Sequence, residues 1–244
     1  MTTELSGAQY DAELASAGAA FAEYAASLDA ASRVPSCPEW DVRQLVGHLG
    51  GVHAWAAAVV RGSGPKVARP EPEGELGAWY LAQLGVLQQA LAETDAAAPV
   101  WTFNGPAPVA FWARRQAHET AMHLCDAQLA AGEEPTYSPV LAADAVSEVF
   151  DVMTPRMSKD RPVPVSGEIT IIASDTGDRW LVRPSSEPGL VDYEYGGAGD
   201  GVVTATAPAA ALATGLWRRT PIGAWQIDGD RAVLEAFLDA PLTP

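Results

Sequence analysis

With 244 residues and 48% hydrophobic content, the chain can bury a substantial core as one large domain or two small ones. Its 15 Lys+Arg against 31 Asp+Glu give a formal charge of -16, spread along the chain rather than blocked, which suits solubility and argues against nucleic acid as a partner. No stretch approaches the ~20 apolar residues of a membrane span, and MTTELSGAQYDAEL has no basic segment leading into an apolar one, so a cytoplasmic protein with no membrane partner is expected.

Residues 8–30 carry Tyr10, Leu14, Ala17, Phe21, Tyr24, Ala25 and Leu28 at helical spacing without a proline, which predicts a first helix. The segment Pro35 to Pro38 breaks the chain, and Glu39 to Asp41 supply acidic residues at the start of a second helix reaching about Val60. Its apolar line is Leu45, Leu49, Val52, Ala56 and Val59, with His48 about 40° from Val52 and therefore facing inward. His53 lies about 140° from His48 and cannot share its target, so this helix is expected to offer one inward histidine. After a Pro- and Gly-rich loop from Gly62 to Gly74, a third helix runs from about Glu75 to Thr94, with Leu76, Trp79, Tyr80, Leu84, Leu87 and Leu91 as candidate core.

A connection around 99–108 holding Trp101 and Phe103 leads into Phe111 to Leu129, FWARRQAHETAMHLCDAQL. As a helix it carries a mostly polar line, Trp112, Gln116, Glu119, His123 and Asp126, beside an apolar line, Phe111, Met122, Cys125 and Leu129, which is expected to face the core. Glu119 and His123 then sit one turn apart at the border of the buried face. A divalent metal would compensate a carboxylate and an imidazole there. An ordinary ion pair between Arg115 and Glu119, with His123 as a satisfied core histidine, would do the same. A further helix over 140–153 is expected to stop at Pro155.

Beyond about residue 160 the pattern changes. Glu168 to Ala173, Arg179 to Arg183, Val202 to Ala207 and Trp225 to Asp228 read as strands, and Pro208 to Trp217 and Asp230 to Leu238 as helices. The expected fold class is α+β, with a helical bundle over 1–160 and a smaller α+β domain over 161–244. Cys37 and Cys125 are too few and too far apart for a CxxC zinc site or a disulfide framework. Cys125 is expected as a small buried hydrophobe, and Cys37 as a buried cap residue outside any site.

Adding the inward His48 to Glu119 and His123 gives two histidines and one carboxylate, the ligand count of catalytic rather than structural zinc. With VPSCPEWDVRQLVGHLGGVHAW followed by R-x-x-x-E-x-x-x-H-x-x-D on a later helix, the sequence resembles the mycothiol-dependent maleylpyruvate isomerase family, typical of actinobacteria. The resemblance implies a DinB-like four-helix bundle binding one Zn2+, or another divalent metal, through His48, Glu119 and His123, with mycothiol as co-substrate. It further implies a C-terminal arginine that handles a substrate carboxylate, for which LWRRT offers Arg218 and Arg219.

On this reading the protein is a thiol-mediated isomerase or S-transferase acting on a small electrophilic, carboxylated molecule. A metal lowers the pKa of a thiol that is otherwise mostly protonated at neutral pH. Asp126, one turn from His123, would orient an imidazole from behind, unless it is a solvated helix-end charge. Trp40, Trp112 and Trp217 are expected to serve packing. The alternatives are a thiol-independent zinc hydrolase, for which Asp126 is the candidate base, and a non-catalytic binding or sequestration protein.

Overall fold

The computed structural model describes residues 5–157, 165–186, 191–197 and 199–244. Two compact units divide the chain between Tyr137 and Ser138. The boundary expected near residue 160 falls outside the described residues, and the helix beginning at 139 belongs to the C-terminal unit.

The N-terminal unit is a four-helix bundle of α1 (Gly7–Ser27), α2 (Val42–Val60), α3 (Leu76–Glu93) and α4 (Ala110–Ala130). Local chemistry fixes three of the helix starts. Ser6 with Gln9 and Asp41 with Gln44 form reciprocal capping boxes, and the Glu75 carboxylate accepts from the amides of Gly77 and Ala78. In the connection before α4, Pro99–Val100 (β1) pairs antiparallel with Ala107–Pro108 (β2). Each of α1 and α2 packs against both α3 and α4, and Phe21 meets Tyr80 at 4.6 Å between ring centroids.

Helix α4 departs from the expected two-sided pattern. Fifteen of its 21 residues are buried, and the line read as polar is the deeper one: Trp112, Gln116 and Asp126 are fully enclosed, whereas Phe111 and Leu129 are only half-buried. A helix apolar or enclosed on all sides is the inner element of its unit. Its polar residues must therefore find partners inside the protein.

The C-terminal unit carries a five-stranded sheet of β3 (Ile169–Ala173), β4 (Arg179–Pro184), β5 (Val191–Tyr195), β6 (Val203–Ala207) and β7 (Gln226–Gly229), in the order β5-β4-β3-β6-β7. Only the central β3–β6 pair is parallel, placing Ile171 between Trp180 and Ala205. Strand β5, VDYEY, was not anticipated. As an edge strand it alternates exposed and half-buried residues and lacks the apolar run of β3.

Helix α5 (Pro139–Glu148) packs with α7 (Ala209–Leu216), and α8 (Arg231–Leu238) lies against β6. The fully buried Trp180 donates from Nε1 to Ser147 Oγ at 2.8 Å. Pro155 does not end the helical run. Residues Val149–Met153 form a π turn, which resets the hydrogen-bond ladder so that Pro155 falls in the first turn of α6 (Thr154–Met157), where its missing N–H costs little. No helix among the described residues is long and apolar enough to cross a membrane.

Candidate metal centre

His48 projects from α2 toward α4, which presents Glu119 and His123 one turn apart. Glu119 Oε1 lies 3.2 Å from His48 Nε2 and 3.5 Å from His123 Nε2. One ligand atom from each of the three residues falls within 4.8 Å of the others. A tetrahedral ion bound at about 2.1 Å separates its ligands by about 3.4 Å, so the two measured edges already have the spacing of a filled coordination shell. The donor set and these spacings fit a divalent cation.

The expected Arg115 ion pair occurs on one oxygen of Glu119 and leaves the other turned to the two imidazoles. Arg115, buried beside it, donates from Nη2 to Oε2, while Oε1 faces the two imidazoles. The ion pair and the metal reading are therefore compatible, and the pair limits the carboxylate to one oxygen toward the site. Burial alone would raise the Glu119 carboxyl, but Arg115 and the two histidines outweigh it and hold the group well below its usual range.

Asp126 is not a solvated helix-end charge. It is fully enclosed, its Oδ2 accepts from His123 Nδ1 at 2.8 Å, and its Oδ1 accepts from Ser36 Oγ at 2.6 Å. Burial favours the neutral His123 ring, yet Asp126 and Glu119 outweigh it and raise the imidazole to about 9. His48 behaves oppositely: burial lowers it, and the nearby charges of His123 and Arg69 push the same way against the opposing pull of Glu119.

The loop before α2 closes one side of the cluster. Val34 N–H donates to Trp40 O and Trp40 N–H to Cys37 O, which folds 34–40 into a tight turn. Trp40, expected to serve packing, stands 4.7 Å from the His48 ring and 6.0 Å from that of His123. Cys37 caps no helix, since Asp41 does, and its sulfur lies 3.9 Å from Asp126 Oδ2. Trp112 and Trp217 are buried as expected, and Cys125 is fully buried.

The sequence reading missed one buried network. His53 is more enclosed than His48: Nδ1 meets Gln116 Oε1 at 2.8 Å and Nε2 meets Tyr80 Oη at 3.2 Å. Its angular separation from His48 was read correctly, but the conclusion that α2 offers a single inward histidine does not hold, because α3 and α4 enclose the second direction as well. Tyr80 and Gln116 at core positions were the available signal, since buried polar groups need partners.

Burial pushes the His53 imidazole down to about 4, against about 6.5 in an unfolded chain. The unfolded state then takes up the proton first, so the stability contributed by this neutral ring is complete above pH 6.5 and lost as the pH falls toward 4. Between pH 7 and 5, wild type is expected to lose about 2 kcal/mol more than His53→Gln in urea unfolding. Parallel losses would show that the ring is not held neutral.

Arg218 and Arg219 lie in the C-terminal unit, just past α7. Arg218 N–H donates to Gly215 O and Arg219 N–H to Thr214 O, a paired helix closure that places Arg218 at φ 56°, the position usually given to glycine. The Arg218 guanidinium donates to Ala240 O at 2.9 Å, and that of Arg219 lies 5.7 Å from the Trp217 ring centroid.

A four-helix bundle bearing a His–Glu–His cluster, joined to a unit with a five-stranded mixed sheet, defines a two-domain class of bundle protein. Residues 12–128 match the mycothiol maleylpyruvate isomerase N-terminal domain and residues 140–236 the MDMPI C-terminal domain, so the chain belongs to the mycothiol maleylpyruvate isomerase family. A crystal structure of a mutant of the mycothiol-dependent maleylpyruvate isomerase matches with TM-score 0.61 at 13% identity, covering 86% of this chain and 88% of that one. A second crystal structure of that enzyme gives 0.59 at the same identity and coverage. At such identity the likeness speaks for the fold. The search of curated proteins finds no match.

Proposed function

We propose that this protein is a zinc- and mycothiol-dependent enzyme, an isomerase or S-transferase acting on a small electrophilic carboxylic acid. The observation that carries the reading is the convergence of His48 Nε2, Glu119 Oε1 and His123 Nε2 at ligand spacing. The metal, when bound, supplies the positive charge that keeps a thiol as its nucleophilic thiolate near neutral pH. Three protein ligands leave a fourth position open.

His48, Glu119 and His123 hold the ion, and Arg115 keeps Glu119 ionised and one-toothed. Asp126 accepts a hydrogen bond from His123 Nδ1–H and so turns the Nε2 lone pair toward the site. To serve as a ligand at neutral pH, His123 would release one proton, which Asp126 and Glu119 otherwise hold on the ring.

The thiolate sulfur adds to a carbon of the substrate double bond as the π electrons move onto a conjugated carbonyl oxygen. Rotation about the resulting single bond and return of that electron pair expel the sulfur, giving isomerisation with the thiol recovered. Displacement of a leaving group by the same sulfur would give transfer instead.

A thiol-independent hydrolase is the weaker reading. Its candidate base, Asp126, is fully enclosed on the Nδ1 side of His123 and already accepts two hydrogen bonds. The deciding experiment measures zinc per chain and follows loss of a maleylpyruvate-like electrophile with and without mycothiol. Turnover that needs no thiol, or a chain that binds no divalent metal, overturns the proposal.

Either Arg218 or Arg219 would neutralise the substrate carboxylate or the developing enolate. Arg218→Gly isolates the first. Glycine relieves a left-handed backbone cost of about 1 kcal/mol, roughly offsetting the lost hydrogen bond to Ala240 O. An unchanged melting temperature with a kcat at least tenfold lower is expected if Arg218 is the substrate cation. Unchanged kinetics would exclude Arg218 and leave Arg219 as the candidate from the C-terminal unit.

A further inference from the structure

The geometry points to Arg69 as a carboxylate-binding residue on the bundle, seated beside the metal triad and selecting an anionic electrophile. Segment 65–72 runs along α2, fastened at both ends. Trp55 Nε1 donates to Pro65 O at 2.9 Å, and Arg43 Nη2 donates to Pro72 O at 2.6 Å. Between these two ties the segment passes over Gly51 and Gly47. A Cβ on Gly51 would stand 3.2 Å from Arg69 Cβ and 3.5 Å from its Cδ, and one on Gly47 would stand 2.9 Å from Pro72. Arg43, Gly47, Gly51 and Trp55 recur every four residues and so form one edge of the helix.

His48 lies within about 60° of Gly51 and about 20° of Trp55 on that wheel, so the seat of Arg69 borders the direction in which His48 points. The guanidinium carbon stands 5.4 Å from the Trp55 ring centroid, and among the described residues it faces this ring rather than an acid. A guanidinium held over an aromatic ring by cation–π attraction still carries the N–H donors that fork a carboxylate. In a chain of net charge -16, an exposed cation without an acid beside the triad is a local attractor for a small anion. The two glycines let the segment come this close, since a Cβ at Gly51 would crowd Arg69 and one at Gly47 would crowd Pro72.

The inference takes its chemical meaning from the metal–thiol reading above, and its measurement does not depend on that reading. Succinate serves as the probe, titrated calorimetrically into the full-length protein as purified and after chelation. Arg69→Gln is expected to weaken succinate binding at least tenfold in both forms, Arg69→Lys less, and Lys66→Gln in the same segment less than twofold. Equal binding by wild type and Arg69→Gln, equal losses for Lys66→Gln, or no saturable binding to wild type would overturn the assignment. Arg69-dependent succinate binding by a chain that takes up no zinc would instead sustain the anion site and remove the metal reading. With maleylpyruvate and mycothiol as reactants, Arg69→Gln should raise KM for maleylpyruvate and leave KM for mycothiol unchanged. The reverse pattern would overturn the choice of the electrophile as the anion.

Discussion

His123→Ala is expected to reduce bound zinc from one per chain to none and to abolish thiol-dependent turnover. Removing a ligand costs more than the 10–100-fold in affinity that a partner behind a ligand supplies. The substitution also strips the fully enclosed Asp126 of its imidazolium, and a buried charge left without its partner costs about 3–5 kcal/mol. Loss of metal could then follow from loss of fold.

His48→Ala separates the two causes. The His48 side chain keeps 28% of its surface exposed and, among the described residues, has no carboxylate behind it comparable to Asp126, so its removal deletes a ligand without stranding an enclosed charge. The expected result is that both variants fail to hold zinc, while only His123→Ala unfolds markedly earlier than metal-free wild type. Zinc retained at full stoichiometry by both variants would dismantle the triad.

Much of this centre was legible in the sequence because its elements are local. The spacing Glu119–His123 places two ligands on one helical turn, and the position of His48 beside Val52 sets its direction on α2. What periodicity could not show was enclosure. The line from Trp112 to Asp126 reads on a wheel as a polar line at the border of the buried face, yet most of α4 is buried and its polar residues are paired within the bundle. The partners come from segments distant in sequence: Ser36 lies 90 residues from Asp126, and His53 63 from Gln116. No helical wheel contains such pairs.

The same limit explains Trp40 and Cys37, which reach the cluster only because residues 34–40 fold back in a turn. In the C-terminal unit, the runs rich in β-branched residues declared themselves as inner strands, while the polar edge strand β5 did not. Pro155 misled for a different reason. A proline ends a helix only where its nitrogen would have donated, and the π turn before it removes that requirement.

Asp126→Asn tests the arrangement behind the ligands while leaving volume and shape nearly unchanged. Both Asp126 oxygens receive hydrogen bonds in the native protein, one from Ser36 Oγ and one from His123 Nδ1. An amide can offer only one acceptor oxygen. If that oxygen turns to Ser36, the amide N–H2 meets Nδ1, which must give up its proton, and the imidazole proton moves to Nε2, the atom that should face the metal. If the oxygen turns to His123, the tautomer survives, but the negative charge that polarises the ring is gone.

Either outcome weakens the ligand without deleting it. A 10–100-fold loss of zinc affinity is therefore expected in chelator competition at pH 8, with the fold retained. Removing the carboxylate should also lower the His123 imidazole from about 9, so that metal-free Asp126→Asn releases less than one proton on binding zinc near pH 8, measurable by calorimetry in buffers of different ionisation enthalpy. Affinity within twofold of wild type, with the same proton release, would mean that Asp126 neither orients nor polarises His123. The alignment of its Nε2 with Glu119 and His48 would then rest on packing alone.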